Sequence, residues 1–113
     1  MEYSTLEKKN CVVVALKGNL MGGPASADFQ AMVKDQIEKG ETNLIGDLSE
    51  VDFMNSSGLG ILISSLISLR KEGGDFKLCS ATDRIKSLLK VSKLFTVFDM
   101  YETLDEAIAA YEK

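Results

Sequence analysis

"VDFMNSSGLGIL", residues 51–62, joins an apolar strand-like run to an apolar helix-like run through an amide, two hydroxyls and two glycines. A plain connection needs one capping residue and at most one glycine, so the crowding asks for a reason. Ser56 or Ser57 serves as the N-cap, its oxygen accepting from backbone N–H groups two or three residues on. Ser57 is the expected cap, through an N–H near Gly60, which leaves Ser56 accessible. Gly58 and Gly60 would let the helix lie close to a sheet. An exposed hydroxyl at a helix start also suits phosphorylation, because the helix dipole favours the added negative charge.

Working outward, Leu59, Leu62, Ile63, Leu66 and Ile67 recur at helical spacing as far as Gly73-Gly74. The other side of that helix carries Ile61, Ser64, Ser65 and Ser68. It reads either as a plain polar face or as a flat small-residue stripe on which a partner docks. Upstream, "TNLIGDLSEV" reads as a strand, with Asp47 and Asp52 as strand-end and turn residues. "YSTLEKK" and "CVVVALKG" form two strands around a turn near Lys9-Asn10. The second is apolar at all of its first six positions, so both its faces should be covered. "NLMGGPASADF" is a loop leading into a helix, with Pro24 suited to the first turn. Phe29, Met32, Val33, Gln36 and Ile37 make its inward stripe, and Gly40 its stop.

Downstream, "DFKLCSA" is a strand and "TDRIKSLLKVS" a short helix burying Ile85, Leu88 and Leu89. "LFTVFDMY" holds a last strand. "TLDEAIAAYEK" is a closing helix with a capping-box pattern at Thr103 and Glu106. The order is β-β-α-β-α-β-α-β-α. The fold class is α/β: one domain over residues 1–113, a mixed, mostly parallel sheet of about five strands with helices.

Composition narrows the chemistry. The 113 residues carry 13 basic and 17 acidic side chains, a net charge of −4, with no evident basic patch for nucleic acid. There is no histidine, which excludes a Ser-His-Asp triad, a histidine phosphorelay and a His-containing metal site. "GLG" at 58–60 lacks the third glycine of a dinucleotide fingerprint, whose place is taken by Ile63. There is no P-loop, and Met54 stands where a nucleophile elbow around Ser56 needs glycine. Cys11 and Cys79 lie in apolar strands and read as buried free thiols. No cofactor or metal is expected. No apolar run is long enough to span a membrane, and "MEYSTLEKKN" lacks a signal-peptide pattern, so a cytoplasmic protein is expected.

At this point "DLSEVDFMNSSGLGILISSLISLRKEGGDFKLCSA" resembles the central segment of the STAS domain of bacterial anti-sigma factor antagonists. That family's pattern is an Asp-Leu-Ser strand end, an apolar pair, then D-S-S-G-L-G or D-S-T-G-L-G opening a helix. The element order agrees over essentially the whole chain, and "GNLMGGPA" lies where the family has its first strand-to-helix loop.

The resemblance implies a partner switch. The serine after the motif's first residue, Ser56 by position, would be phosphorylated by an anti-sigma factor that is also a serine protein kinase. The unphosphorylated antagonist would bind that kinase and free the sigma factor; a serine phosphatase would reset it. The expected partner-binding residues are Met21, Gly22, Gly23, Asn55, Ser57, Gly58, Ile61, Ser64, Ser65 and Ser68, on a monomer or weak dimer.

Two residues depart from the pattern: Asn55 replaces the leading aspartate, and Met21 falls near a loop position that is often aspartate. Two other readings stand beside the switch. One is a phosphorylation-independent STAS interaction module or scaffold in a bacterial signalling assembly. The other is a small metal-free enzyme using Ser56.

Overall fold

The computed structural model describes residues 2–112 and, within them, all side chains but those of residues 24, 25 and 95. In chain order the strands and helices are β1 (Glu2–Glu7), β2 (Val12–Leu20), α1 (Pro24–Glu38), β3 (Asn43–Met54), α2 (Ser56–Lys71), β4 (Asp75–Cys79), α3 (Asp83–Val91), β5 (Met100–Tyr101) and α4 (Leu104–Tyr111). The five strands lie side by side in sequence order. β1 and β2 pair antiparallel, and β2 through β5 are parallel, which is the mixed sheet the alternation predicts. "LFTVFDMY" contributes only the two residues of β5, after a single tight turn at Leu94–Thr96.

The helices divide between the faces of the sheet. α1, α2 and α3 cover the face built from Val12, Val14, Leu16, Leu44, Leu48, Phe76 and Leu78. Three aromatic contacts cross this layer: Tyr3 edge-on to Phe29 at 5.9 Å, Phe29 to Phe76 at 6.4 Å, and Phe76 edge-on to Phe98 at 6.3 Å. α4 alone covers the smaller opposite cluster of Cys11, Val13, Ile45 and Cys79, over which Ala107 is packed. β2 is therefore buried on both faces over Val12–Val14, and the stripe Phe29, Met32, Val33 and Gln36 of α1 is buried as its spacing predicts.

Two features differ from the expectations. β3 runs on to Met54, so Asp47 and Asp52 lie inside a strand rather than at its end and in a turn. Its buried residues Leu48, Val51 and Met54 are three apart, not two. Two register shifts against β2, near Ala15–Lys17 and Gly18–Asn19, each put an extra residue into β3. A bulge of this kind returns a side chain to the core face one residue late, which hides the strand from a test for simple alternation.

The second feature is the phase of α2. Its buried residues are Gly58, Ile61, Leu62, Ser65, Leu66 and Leu69, while Ile67 is 56% exposed. The helix is turned by about one residue from the Leu59–Ile63–Ile67 stripe, which corresponds to roughly 100°. Leu59 and Ile63 pack only at the margin of the core.

α4 is fastened by polar contacts as well as by Ala107. The capping box at Thr103 and Glu106 forms in both directions. The Tyr111 hydroxyl donates to the Leu44 carbonyl at 2.8 Å. Lys77 Nζ sits 4.9 Å from the Tyr111 ring centroid and is bonded to Asp99 at 3.0 Å and Asp75 at 3.4 Å. Burial opposes the Lys77 charge, but the hydrogen bond to Asp99 and the charges of Asp99 and Asp75 outweigh it and raise its pKa.

Both cysteines are free and buried. Burial pushes the Cys79 thiol from an ordinary 9.0 up to about 11. The folded state therefore holds this proton where the unfolded chain has released it. The associated stability is complete below about pH 9 and is lost as pH rises towards about 11. In that window the wild type should lose up to about 1.4 kcal/mol per pH unit more than Cys79→Ala. Urea unfolding of both proteins across the window measures this; parallel slopes would refute it.

Candidate functional site

The site is assembled where the end of β2, the loop that follows it and the first turn of α2 meet. The Asn55 N–H donates to the Leu20 carbonyl at 3.1 Å, which carries the β2–β3 pairing up to the helix start. The Asn55 side chain then does two things. Its Oδ1 accepts from the Gly58 N–H at 2.9 Å, and its Nδ2 donates to the Met21 carbonyl at 3.2 Å. Asn55 is thus the N-cap of α2 and, through the same amide, a clamp on loop 21–23.

The expected cap is corrected by this geometry. Ser57 does not cap α2; both serines lie within the first turn and are exposed, and the capping oxygen belongs to Asn55. The reason is positional. The N-cap oxygen reaches an N–H two or three residues on, and Asn55 is the residue whose backbone is extended, with φ −102° and ψ −175°.

Glycine is required at two points. A Cβ on Gly58 would lie 2.0 Å from the Leu20 carbonyl oxygen, so the helix start can approach β2 only without a side chain. Gly22 has φ +84°, and a Cβ there would lie 2.8 Å from Ser57 Cβ. The loop therefore lies against the first turn of α2. Gly60, by contrast, faces open space and plays no part in that approach.

The residues singled out in the sequence separate into two groups. Met21 (48% exposed), Gly23, Ser56 and Ser57 are at the surface, with Gly22 and Asn55 half-buried beside them. Ser64 and Ser68 are exposed further along α2. They line a groove of about 380 Å³ opposite Val33, Lys34 and Ile37 of α1. Gly58, Ile61 and Ser65 are buried, so they cannot belong to an outer stripe of α2. Ser65 reaches 2% exposure with its hydroxyl satisfied, donating to the Ile61 carbonyl at 2.9 Å. Such back-bonding lets a serine sit in a helix contact without an orphaned donor.

The sequence reading missed the link from Asn55 to Met21. The asparagine beside two serines was its signal: an asparagine can both accept and donate through one side chain, which an aspartate cannot.

Comparison with known proteins places the fold. Residues 2–107 match the STAS domain family. An anti-sigma F factor antagonist of Paenibacillus polymyxa is 26% identical over 106 residues, covering 92% of this chain and 89% of that one. The crystal structure of an anti-sigma factor antagonist from Mycobacterium paratuberculosis superposes with a TM-score of 0.84 at 28% identity, over 99% of this chain and 94% of that one. SpoIIAA, an anti-sigma factor antagonist and Bacillus cell fate determinant, shares the fold in both of its forms. The unphosphorylated form has a TM-score of 0.84 at 23% identity, covering 98% and 96% of the two chains. The phosphorylated form has a TM-score of 0.75 at 24% identity, covering 96% and 98%.

Because Asn55 carries both the cap and the clamp, Asn55→Ala should cost about 1–2 kcal/mol, the upper part of the roughly 0.5–2 kcal/mol range for a lost cap. Ser57→Ala should stay within about 0.5 kcal/mol, as for most surface changes. Denaturant melts of the two variants decide between them, and a larger loss for Ser57→Ala would overturn the assignment.

Proposed function

We propose that this chain, which belongs to the STAS domain family, is an anti-sigma factor antagonist switched by phosphorylation at Ser56. In this reading it is a regulatory protein of the bacterial cytoplasm and not an enzyme. Unphosphorylated, it binds an anti-sigma factor that is also a serine kinase; phosphorylated, it is released, and a serine phosphatase restores it. The observation that carries the reading is Ser56 itself: exposed, in the first turn of α2, directly after the Asn55 that clamps loop 21–23 through the Met21 carbonyl. Relatives that are anti-sigma factor antagonists support the partner class. The shared fold of SpoIIAA in phosphorylated form supports a modification that leaves the domain folded.

The partner-facing surface comprises Met21, Gly22, Gly23, Asn55 and Ser57 around Ser56, extended along α2 by Ser64 and Ser68. A phosphoserine there adds about −1.5 to −2 charges. Within the monomer the dipole of α2 offsets part of their cost. In a docked interface the same charges must shed water and face the partner's acidic or phosphate groups. One like-charge pair about 4 Å apart costs roughly 4 kcal/mol at an effective dielectric near 20. That is close to three powers of ten in affinity.

A phosphorylation-independent interaction module is the second reading. Asn55 favours it, because its side chain is committed to the cap and the loop and offers no carboxylate to a phosphotransfer site.

One pair of samples separates the readings. Phospho-Ser56 protein should bind the kinase at least about a hundredfold more weakly than unmodified protein. Its melting temperature should be nearly unchanged, with amide shifts confined to loop 21–23 and the start of α2. Calorimetric titration and a thermal melt measure both. Equal affinities would select the phosphorylation-independent module, and a collapsed melting temperature would replace local repulsion with unfolding.

A further inference from the structure

The sheet has two edge strands, β1 and β5. β5 is only two residues long, and so short an edge offers little to another chain. β1 differs: its six residues are all exposed, and its register with β2 is unbroken from Glu2–Lys17 to Glu7–Val12. Its centre, residues 3–6, reads Tyr-Ser-Thr-Leu, without the proline, bulge or charge that commonly blunts an edge. Among the described residues no strand pairs with its outer side.

The turn after β1 fixes which backbone groups are free. The Lys8 N–H donates to the Cys11 carbonyl at 2.8 Å. Backbone bonding alternates along an antiparallel strand. Leu6, Ser4 and Glu2 therefore turn their N–H and C=O groups towards β2, while Tyr3, Thr5 and Glu7 turn theirs outward. The side chains alternate between the faces of the sheet as well. Tyr3 packs on Phe29 of α1, whereas Leu6 lies opposite Val13 of the α4-side cluster and is left 56% exposed on that face.

We propose that β1 pairs antiparallel with β1 of a second copy of this chain, about a two-fold axis at Thr5, so that the two sheets become one. Of the registers that set outward groups opposite one another, the one centred on Thr5 gives every outward group of Tyr3, Thr5 and Glu7 a partner within β1. Tyr3 then lies opposite Glu7 of the other copy, and Thr5 opposite Thr5. The same register sets Glu2 opposite Lys8 of the other copy, twice by symmetry, and Leu6 opposite Ser4. Moving the axis to Ser4 or Leu6 loses the Glu2–Lys8 pairs. Opposite charges directly across a strand pair stabilise it, and like charges destabilise it. The chain is thus charge-complementary to itself in the register that its backbone selects. A contact one strand wide falls short of the roughly 1,200–2,000 Å² of a stable interface, so the dimer is weak and depends on concentration.

Sedimentation of the full chain should pass from monomer at about 10 μM to mostly dimer at about 1 mM. Thr5→Pro removes an outward N–H and no bond to β2, so it should fold and stay monomeric. Glu2→Lys should weaken the dimer at least about tenfold, and adding Lys8→Glu should restore it. Oxidative cross-linking reads the register, with the native thiols buried. Ser4 and Leu6 of the other copy would form a non-hydrogen-bonded pair with Cα atoms about 4.5 Å apart, within disulfide range. Mixed Ser4→Cys and Leu6→Cys proteins should therefore join to each other and neither to itself. Ser56→Ala should dimerise as the wild type does, which separates this edge from the switch. A chain still monomeric at about 1 mM, a folded Thr5→Pro protein that dimerises, or a charge swap that fails to restore the dimer would overturn the proposal. So would self-cross-linking in place of the mixed product, or loss of the dimer in Ser56→Ala. If Thr5→Pro does not fold, the charge swap and the cross-links decide.

Discussion

The first turn of α2 lies so close to the end of β2 that no side chain fits between them. A Cβ on Gly58 would be 2.0 Å from the Leu20 carbonyl oxygen. That contact sets the height of the helix over the sheet, and the Asn55 N–H to Leu20 bond sets the point at which the strand gives way to it. Once both are in place, Asn55 is the residue positioned to cap, and its amide nitrogen falls within reach of Met21. The exposed serines then project from a turn held against the end of β2 and the loop that follows it. The surface that partners would read is thus anchored to the sheet rather than carried on a free loop.

The same contact accounts for the phase of α2. Counting from Gly58 at helical spacing gives Ile61, Leu62, Ser65, Leu66 and Leu69, which are the buried positions. The helix is apolar on most of its circumference, so hydrophobicity permits several rotations with similar gain. Steric exclusion at one glycine removes that degeneracy. Ser65 goes to the interior because its hydroxyl finds the Ile61 carbonyl, and Ile67 is left at the surface. A bland polar position and a greasy exposed one are consequences of the same rotation.

The two faces of the sheet are held differently. The α1–α3 face is a broad apolar layer containing the aromatic contacts from Tyr3 to Phe98. The α4 face is small, and its helix is secured by the capping box, the Tyr111–Leu44 bond and the charged Lys77 beneath the ring. Lys77 can be buried at 9% exposure because two carboxylates accompany it; a buried ammonium without partners would be lost to desolvation. The two cysteines lie under this helix, which explains why their thiols are held neutral.

The amino-acid order alone determined the alternation of strands and helices, the antiparallel first pair, the inward stripe of α1, the Thr103 cap and the special junction at residues 55–58. These are local: each depends on propensity, spacing or capping chemistry within about a dozen residues. What the tertiary structure decided was everything that needs a second segment to define it. β3 continues through Asp47 and Asp52 because bulges against β2 return Val51 and Met54 to the core. Asn55 rather than Ser57 is the cap because the sheet ends at Leu20. Ile61 and Ser65 are interior because Gly58 must face β2. A linear pattern records which residues are apolar or can cap. It does not record the excluded volume of a neighbouring strand, and here that volume selects one rotation, one cap and one exposed pair of hydroxyls from several that the pattern allows.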